Sequence, residues 1–305
     1  MSVLVGVDIG GSGLRCRAEV DGVPGPTASA TGVRLTAAGI DTDALIDSVV
    51  PLVAAVGRPD VLVWSMRGLV ALADPVHLMA ALRARVGAGR TALVGDALAA
   101  MVGAVGGVRP GAVVAAGSGA VAFATDFDTV WRRIDGWGHV LGDRGSSAWV
   151  GLRALETALQ AYDGVSDAGA ALLVAMTERL GDPESWPRHV MTRPDAVEVV
   201  AALAPGVTAL AATDPEAARI CREAGEALAH SLAAAAAGIE GARLSSTGGL
   251  FLADPVREAF AAETERLGLE VHPAEGTNLD GALHLARHLA SGGALVGTTA
   301  YVRLG

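Results

Sequence analysis

Two glycine-rich turns in this sequence have the composition of phosphate-binding loops. The first, DIGGSG at residues 8–13, places one carboxylate at the end of a short apolar run, and the second is GSGA at residues 117–120. Glycines leave backbone N–H groups open to phosphate oxygens, and a carboxylate can hold Mg²⁺ directly or through water. The two turns therefore predict a nucleotide-phosphate site, with Asp8 as the magnesium ligand. The predicted residues are Asp8, Gly10, Gly11, Ser12, Gly13, Gly117, Ser118 and Gly119.

Each turn alone is also compatible with an ordinary glycine β-hairpin. A dinucleotide-binding turn is a weaker alternative, because that fold needs a glycine turn that runs from a strand into a helix. Here the chain resumes a strand-like pattern after each turn, at residues 14–20 and again from residue 120. Two such hairpins in one chain favour two phosphate clamps on opposite walls of one cleft.

The elements that must position these turns repeat along the chain. Short β-like runs come first, then a helical pattern, then strands that alternate with helices, and the same order begins again at residue 111. A doubled unit predicts an α/β protein with two lobes, residues 1–110 and 111–305. The stretch of about 161–215 holds extra helical segments and breaks, which indicates an insertion into the second lobe.

Composition excludes several classes of protein. The chain has 305 residues, a formal charge of −10 and no basic block, so a nucleic-acid partner is not expected. All 23 Lys or Arg positions are arginine, which excludes Schiff-base lysines, Walker-type NTPases and protein kinases. Two cysteines form no disulfide framework, and no apolar stretch is long enough to span a bilayer. These features predict a cytoplasmic protein with no membrane partner.

Longer segments carry a resemblance to a known family. They are GVDIGGSGLRCRAEVDG, LVGDALAAMVGAVGG, GAVVAAGSGA, RRIDGWGHVLGDRGSSAWVGLRAL, SSTGGL and NLDGALHLA, in this order along the chain. The chain resembles the ASKHA superfamily of actin-like kinases, hexokinases and chaperone ATPases. Within it, the chain is similar to the N-acetylglucosamine kinase branch that is grouped with the BadF/BcrA-type ATPases. The resemblance implies a duplicated ribonuclease H-like fold whose last helix packs back on the N-terminal lobe.

The resemblance also implies roles for individual residues. Asp96 matches the family's catalytic base, which takes the proton of a sugar hydroxyl while ATP, with Mg²⁺, donates its γ-phosphate. An alternative role for Asp96 is to cap the helix that begins there. The residues that match the sugar-binding loop are Gly136, Trp137 and Asp143. The resemblance implies that Asp96 contacts the sugar as well. The turn that matches the adenosine site contains Gly248 and Gly249.

Several positions depart from the family pattern. Arg144 stands where an acid is usual, Gly95 precedes Asp96 in place of Asn, and Val121 replaces a polar sugar contact. Asp135 adds a charge before the sugar loop, and WSMRGLV replaces a glycine–alanine–glycine type loop. Buried polar contacts decide which hydroxyls a site accepts. These departures therefore affect the predicted identity of the sugar more than the predicted phosphotransfer reaction.

The sequence therefore predicts an ATP-dependent kinase of an amino sugar or N-acetylhexosamine, most simply N-acetylglucosamine, with a small-molecule sugar as partner. Two alternatives stay open. One is a sugar sensor on the kinase fold without catalysis. The other is a BadF-type ATPase activator, although Cys16 and Cys221 lie in no iron–sulfur motif. A homodimer is expected from the family alone.

Overall fold

A computed structural model describes residues 1–10, 13–30, 35–36, 39–69, 74–295 and 300–305. The predicted phosphate-binding residues Gly11 and Ser12 lie outside these described residues. The strands are β1 (Val3–Gly10), β2 (Gly13–Val20), β3 (Val23–Ala30), β4 (Leu35–Thr36), β5 (Gly39–Ile40), β6 (Val61–Met66), β7 (Arg90–Gly95), β8 (Gly111–Ala116), β9 (Ala120–Thr125), β10 (Trp131–Asp135), β11 (Arg243–Thr247), β12 (Val271–Pro273) and β13 (Val302–Leu304).

Most of the helices are in the second half of the chain. They are α1 (Thr42–Ala54), α2 (Pro75–Arg85), α3 (Asp96–Ala104), α4 (Ser147–Tyr162), α5 (Ala170–Leu180), α6 (Trp186–Met191), α7 (Ala196–Ala201), α8 (Ala204–Leu210), α9 (Pro215–Ala236), α10 (Asp254–Arg266) and α11 (Asn278–Ala290). Short 3₁₀ turns lie at Asp167–Gly169, Pro183–Ser185 and Gly249–Leu252. Side-chain oxygens that accept hydrogen bonds from first-turn N–H groups mark where several helices begin, as at Asp41, Ser146 and Thr277.

The two main sheets share one topology. The first has the order β13-β7-β6-β1-β2-β3 and the second the order β10-β9-β8-β11-β12. In each, three consecutive strands pair antiparallel, and two later strands add in parallel beside the first of the three. This shared order confirms the predicted duplicated α/β fold. Strand β13, which the sequence pattern did not predict, adds antiparallel to β7 at one edge of the first sheet.

Helix α3 lies between the two sheets. Helices α1 and α2 cover one face of the first sheet, where Trp64 is fully buried. The other face packs against α3 and α11, and the same core continues into the second sheet through Val113 and Phe123. The far face of the second sheet is covered by helices that include α4 and α9. Because α3 begins at the carboxyl end of β7, its first residue lies at the junction of the two sheets.

Helix α11, near the end of the chain, packs on the first sheet and on α3. A Cβ on Gly103 would lie 2.0 Å from the carbonyl oxygen of Thr277, so the two helix backbones are in direct contact. Gly281 meets α3 in the same way, with a Cβ position 1.9 Å from the Ala99 carbonyl oxygen. Only glycine fits such an approach. An ion pair of 2.7 Å between Arg17 on β2 and the carboxylate of Asp280 holds the helix further.

The stretch of residues 145–237 contains six helices, α4 to α9, with short breaks between them. Among the described residues, no single helix is both long and apolar enough to cross a membrane. Residues 196–210 and 215–236 pass that test only as a pair, and they are bent by 117° at their break. The predicted lobe boundary after residue 110 and the insertion at about 161–215 stay predictions.

Candidate active site

The carboxyl end of β1 carries the buried acid that the sequence singled out. Asp8 is paired in register with Arg15 on β2 and with Ser65 on β6. It is 7% exposed, and its Oδ1 has no hydrogen-bond partner among the described residues. Burial raises the pKa of Asp8 to about 6, while Arg15 opposes and the charge of Asp96 reinforces this rise. A buried carboxylate oxygen without a partner is rare in folded proteins, and this oxygen is free to accept a hydrogen bond or to bind a cation.

The second predicted acid begins the helix between the sheets. Gly95 holds the N-cap position of α3 and Asp96 is the first helical residue, so Asp96 does not occupy the N-cap position. Its side chain accepts a hydrogen bond of 2.9 Å from the N–H of Ala97. Asp96 is partly buried. Burial raises its pKa, and the charges of Arg67 and Arg133 lower it.

The second glycine turn is held by backbone hydrogen bonds. The N–H of Gly117 donates to the carbonyl oxygen of Gly119 at 2.9 Å, and the N–H of Ser147 donates to the carbonyl oxygen of Gly117 at 2.9 Å. Ala148 makes a similar contact to Ser118 at 3.2 Å, so the first turn of α4 packs directly on the glycine turn. A Cβ on Gly117 would meet no atom within 4 Å. This open side leaves room for a bound group to approach the backbone.

Two aspartates fix the loop that was predicted to bind the sugar. The buried Asp135 accepts hydrogen bonds from the backbone N–H groups of Asp143, at 2.6 Å, and of Arg144, at 2.8 Å. Asp143 is also buried, and it accepts a hydrogen bond of 3.0 Å from the N–H of Gly138. Both aspartates have positive φ angles, 62° and 54°, a conformation that Asp tolerates better than most residues. The charge that Asp135 adds therefore serves to shape the loop.

The other predicted sugar-loop residues lie at an open surface. Trp137 is 64% exposed, and the guanidinium of Arg133 lies 4.3 Å from its ring centroid, so an arginine already covers part of the ring. Gly136 has φ 74°, and a Cβ there would lie 3.0 Å from Val121. Val121 therefore packs against the loop at the position where a polar sugar contact was expected. Arg144 is exposed.

The predicted adenosine turn separates into two different environments. Gly248 has φ 113°, and a Cβ there would lie 2.1 Å from the carbonyl oxygen of Ala116 on β8. The close approach of β8 therefore requires glycine at this position. Gly249 has nothing within 4 Å of its Cβ position and begins a short 3₁₀ turn. Of the two glycines, Gly249 is the one that faces open space.

Two charged residues at the site were not assigned a role from the sequence. Arg67 follows β6, and its backbone N–H donates to the carbonyl oxygen of Ile9 at 3.1 Å. Its Nη2 lies 3.7 Å from the Cβ position of Gly119, so the side chain reaches the second glycine turn. The replacement of a small-residue loop by WSMRGLV was the available signal for Arg67. For Asp135 the signal was a charged residue directly before the glycine of DGWG.

The residues present suit a magnesium–nucleotide site with few protein ligands. Among the described residues, no three His, Cys, Asp or Glu side chains are grouped as a metal site would require. Mg²⁺ commonly binds proteins through one or two carboxylates, with waters and substrate phosphates as its other ligands. The unpaired Oδ1 of Asp8 could supply one such ligand.

The doubled sheets, with a glycine turn after the first strand of each, define an ATPase of the actin-like class. The sequence profile of the BadF/BadG/BcrA/BcrD ATPase family matches residues 5–278. The chain belongs to this family, as the sequence motifs predicted. None of the curated protein sequences matches the chain.

Solved structures agree with this class of fold. A protein from Chromobacterium violaceum, provisionally assigned as an N-acetylglucosamine kinase, is 26% identical, with a TM-score of 0.71 over 94% of this chain and 99% of that one. A Porphyromonas gingivalis protein with the same provisional assignment is 16% identical, with a TM-score of 0.74 over 94% and 100% of the two chains. A ROK family glucokinase from Streptomyces griseus, solved with glucose and AMPPNP, is 20% identical, with a TM-score of 0.59 over 94% and 100%.

Proposed function

We propose that this protein is an ATP-dependent sugar kinase that phosphorylates a hydroxyl of an amino sugar or N-acetylhexosamine, with N-acetylglucosamine as the expected acceptor. The observation that carries the proposal is the pair of acids at one edge of the first sheet. Asp8 and Asp96 are close enough for the charge of one to raise the pKa of the other. One acid suits a magnesium–phosphate contact and the other suits proton transfer.

The proposed reaction divides the work between these groups. The sugar oxygen attacks the γ-phosphorus of ATP, the bond from that phosphorus to the β,γ-bridging oxygen breaks, and the electron pair leaves with ADP. The carboxylate of Asp96 takes the hydroxyl proton. Mg²⁺, held by Asp8, would neutralise phosphate charge. We infer that the turn at 117–119 contacts phosphate through its backbone and that Gly249 borders the adenosine.

The acceptor is proposed to lie beside the loop that Asp135 shapes. Asp143 is buried next to Gly119 and can accept hydrogen bonds from sugar hydroxyls. The exposed edge of Trp137 offers an apolar surface beside it. The 26% identity to the Chromobacterium violaceum protein favours N-acetylglucosamine among the hexosamines. We further propose that the two lobes, residues 1–110 and 111–305, close over the sugar, and that residues of about 161–215 are an insertion.

The described cysteines argue against the activator alternative. Cys16 lies on β2 and Cys221 on α9, and both are buried. Burial raises the pKa of each thiol to about 11. A cluster shared between subunits needs thiolates at a surface, which neither residue provides. A cytoplasmic location and a homodimer stay predictions.

A coupled assay of ADP production tests the proposal. Neutral hexoses, hexosamines, their N-acetyl derivatives and acidic derivatives would each be offered with ATP and Mg²⁺. We expect the largest kcat/KM with an N-acetylhexosamine. Asp96→Asn should lower kcat by about 10³-fold, because positioned proton transfer contributes 10²–10⁴-fold, whereas ATP binding should persist. The matched control is Asp128→Asn, since Asp128 is an exposed aspartate of the loop before β10.

Three results would contradict the proposal or its parts. Sugar binding without any ADP production would favour the sensor alternative. Normal turnover by Asp96→Asn would remove Asp96 as the base. A preference for unmodified hexoses would leave the kinase in place and reject the N-acetylhexosamine acceptor.

A further inference from the structure

Arg67 occupies the edge of the first sheet where the two acids meet. Strand β6 lies between β1, which carries Asp8, and β7, which leads into Asp96. Arg67 is the first residue after β6, and the hydrogen bond from its N–H to the Ile9 carbonyl oxygen fixes its backbone against β1. Its side chain is exposed, so it is accessible to solvent and to a ligand.

The side chain of Arg67 crosses to the second sheet. The Cβ position of Gly119 is 3.7 Å from Nη2 of Arg67 and 2.5 Å from Oδ2 of Asp143. The guanidinium therefore lies beside the second glycine turn and beside the sugar loop at once. Its charge lowers the pKa of Asp143 as well as that of Asp96. A single cation thus lies among the proposed base, the phosphate turn and the acceptor loop.

Arg67 is positioned among acids, yet it forms no ion pair with any described residue. Arg17, Arg219 and Arg287, by contrast, each pair with a carboxylate. A guanidinium has five donors in a planar fork that suits phosphate oxygens. Those donors are available for a ligand that enters the gap between the sheets.

The chain has no lysine, so arginine is the permanently charged side chain that it can direct at phosphate. Charge on the transferred phosphoryl group spreads over its three outer oxygens in the transition state, and cations placed there lower the barrier. The phosphoryl group moves from ATP to the acceptor sugar. It must therefore pass beside the base, the phosphate turn and the acceptor loop, where Arg67 lies.

We propose that Arg67 is a catalytic residue that contacts the transferred phosphoryl group of ATP and stabilises its charge between nucleotide and acceptor. The inference rests on the proposed kinase function. The bonds that form and break are those given above, with the proton on Asp96 and the leaving electron pair on ADP. Arg67 remains protonated throughout and contributes only charge and hydrogen bonds.

A purely indirect role makes a different kinetic prediction. The charged groups that influence Asp96 are Asp8, Arg67 and Arg133. If Arg67 acted only by holding the pKa of Asp96 down, its removal would shift the acid limb of the pH profile upward and leave the high-pH plateau unchanged. If Arg67 contacts the phosphoryl group, the loss persists on the plateau.

The kinetic test compares Arg67→Gln, Arg67→Lys and the wild type across the full pH profile. We expect Arg67→Gln to lower the plateau kcat by about 10³-fold, within the range for arginines that contact a transferred phosphoryl group. The KM for the sugar should change little, and Arg67→Lys should restore part of kcat. Arg179→Gln, on the exposed side of α5, is the control for loss of an arginine. An unchanged plateau kcat in Arg67→Gln would overturn the proposal.

A binding measurement separates this inference from the proposed function. Calorimetry with ADP, Mg²⁺ and aluminium fluoride, a mimic of the phosphoryl group in transfer, needs no sugar. We expect Arg67→Gln to bind ADP like the wild type and to bind the mimic at least about 100-fold more weakly. Equal binding of the mimic would overturn the role of Arg67. If the wild type phosphorylates no sugar, but binds the mimic more tightly than Arg67→Gln does, the sugar-kinase proposal would be overturned and the role of Arg67 would stand.

Discussion

The two glycine hairpins occupy matching places in two matching sheets, yet they carry different chemistry. In the first, β1 ends with the buried carboxylate of Asp8, which burial holds at a raised pKa. In the second, the corresponding position of β8 is Val114, which is fully buried in an apolar core. The second turn is instead held by backbone hydrogen bonds from the start of α4.

This difference indicates how a duplicated fold divides one task. The first sheet supplies ionisable groups, Asp8 near the carboxyl end of β1 and Asp96 directly after β7, and β6 lies between these two strands. The second supplies a turn of backbone amides and a rigid loop built on Asp135 and Asp143. In the proposed reaction, the magnesium ion and the transferred proton go to carboxylates of the first half, phosphate oxygens accept from backbone N–H groups of the second, and sugar hydroxyls donate to Asp143. Substitutions in the first half should therefore impair magnesium binding and proton transfer, and substitutions in the second half should impair the binding of phosphate and sugar.

Among the substitutions that compare the two hairpins and the sugar loop, the largest effect is expected from Asp8→Asn in the first hairpin. Because Asp8 is the proposed magnesium ligand, loss of its carboxylate should weaken Mg²⁺-dependent ATP binding by at least about 100-fold, since even a residue that only supports a metal ligand contributes about 10- to 100-fold. Titration of ATP with and without Mg²⁺ measures it. If Asp8→Asn binds Mg²⁺–ATP normally, the ionic role of the first hairpin is wrong.

The same substitution should stabilise the protein without ligands. Folding raises the pKa of Asp8 from 3.8 to about 6, so the folded state binds the proton more tightly than the unfolded state does. The resulting destabilisation, on the order of 3 kcal/mol, is complete above pH 6 and vanishes below pH 3.8. Asp8→Asn should therefore raise the free energy of unfolding at neutral pH, and the gain should shrink as the pH falls. Urea unfolding at several pH values tests this against Asp128→Asn.

The next largest effect is expected from Gly119→Ala in the second turn. The new Cβ would lie 2.5 Å from Oδ2 of Asp143 and would push that carboxylate away. The KM for the sugar should rise about 10-fold, the loss expected for one hydrogen bond to a charged group. Gly117→Ala is the matched control, since its Cβ meets nothing within 4 Å. Gly117→Ala should fold normally and raise the KM for ATP instead. If both variants changed the two KM values equally, the assignment of Gly119 to the sugar site and of Gly117 to the phosphate site would be wrong.

A smaller effect is expected from Asp135→Asn in the loop. Asparagine has one acceptor oxygen, so it can keep only one of the two N–H contacts to residues 143 and 144. We expect the KM for the sugar to rise several-fold and the free energy of unfolding to fall by about 1–2 kcal/mol. Asp126→Ala removes the carboxylate that accepts from the N–H groups of Asp128 and Val130 in the loop before β10, away from Asp143. It should lower stability alone, and an equal change in KM would remove the special role of Asp135.

The smallest effect is expected from Arg144→Glu. The side chain is exposed, and only its backbone N–H contacts Asp135. The ranking of neutral and acidic sugars should therefore stay the same in the coupled assay. A changed ranking would show that Arg144 helps to select the acceptor sugar by its charge.

Local patterns predicted much of this molecule. The strand–turn–strand units, the helix that begins at Asp96 and the order of the later elements follow from short-range periodicity and turn residues. The family membership followed from motifs such as GWGHVLGDRGSSAW. By contrast, the sequence did not predict β13, because three residues of strand gain their stability only from pairing with β7.

The sequence by itself determined that this chain is a doubled α/β unit with two glycine turns, one of them preceded by an acid, and no lysine. Only the tertiary structure decided that Arg67 meets Gly119 and Asp143, that Asp135 shapes the loop, and that Gly248 is required by β8. These facts depend on contacts that reach beyond one helical or strand repeat, over eight or nine residues for Asp135 and between distant parts of the chain for Arg67 and Gly248. Such contacts are set by how helices and sheets pack, and local periodicity carries no record of them.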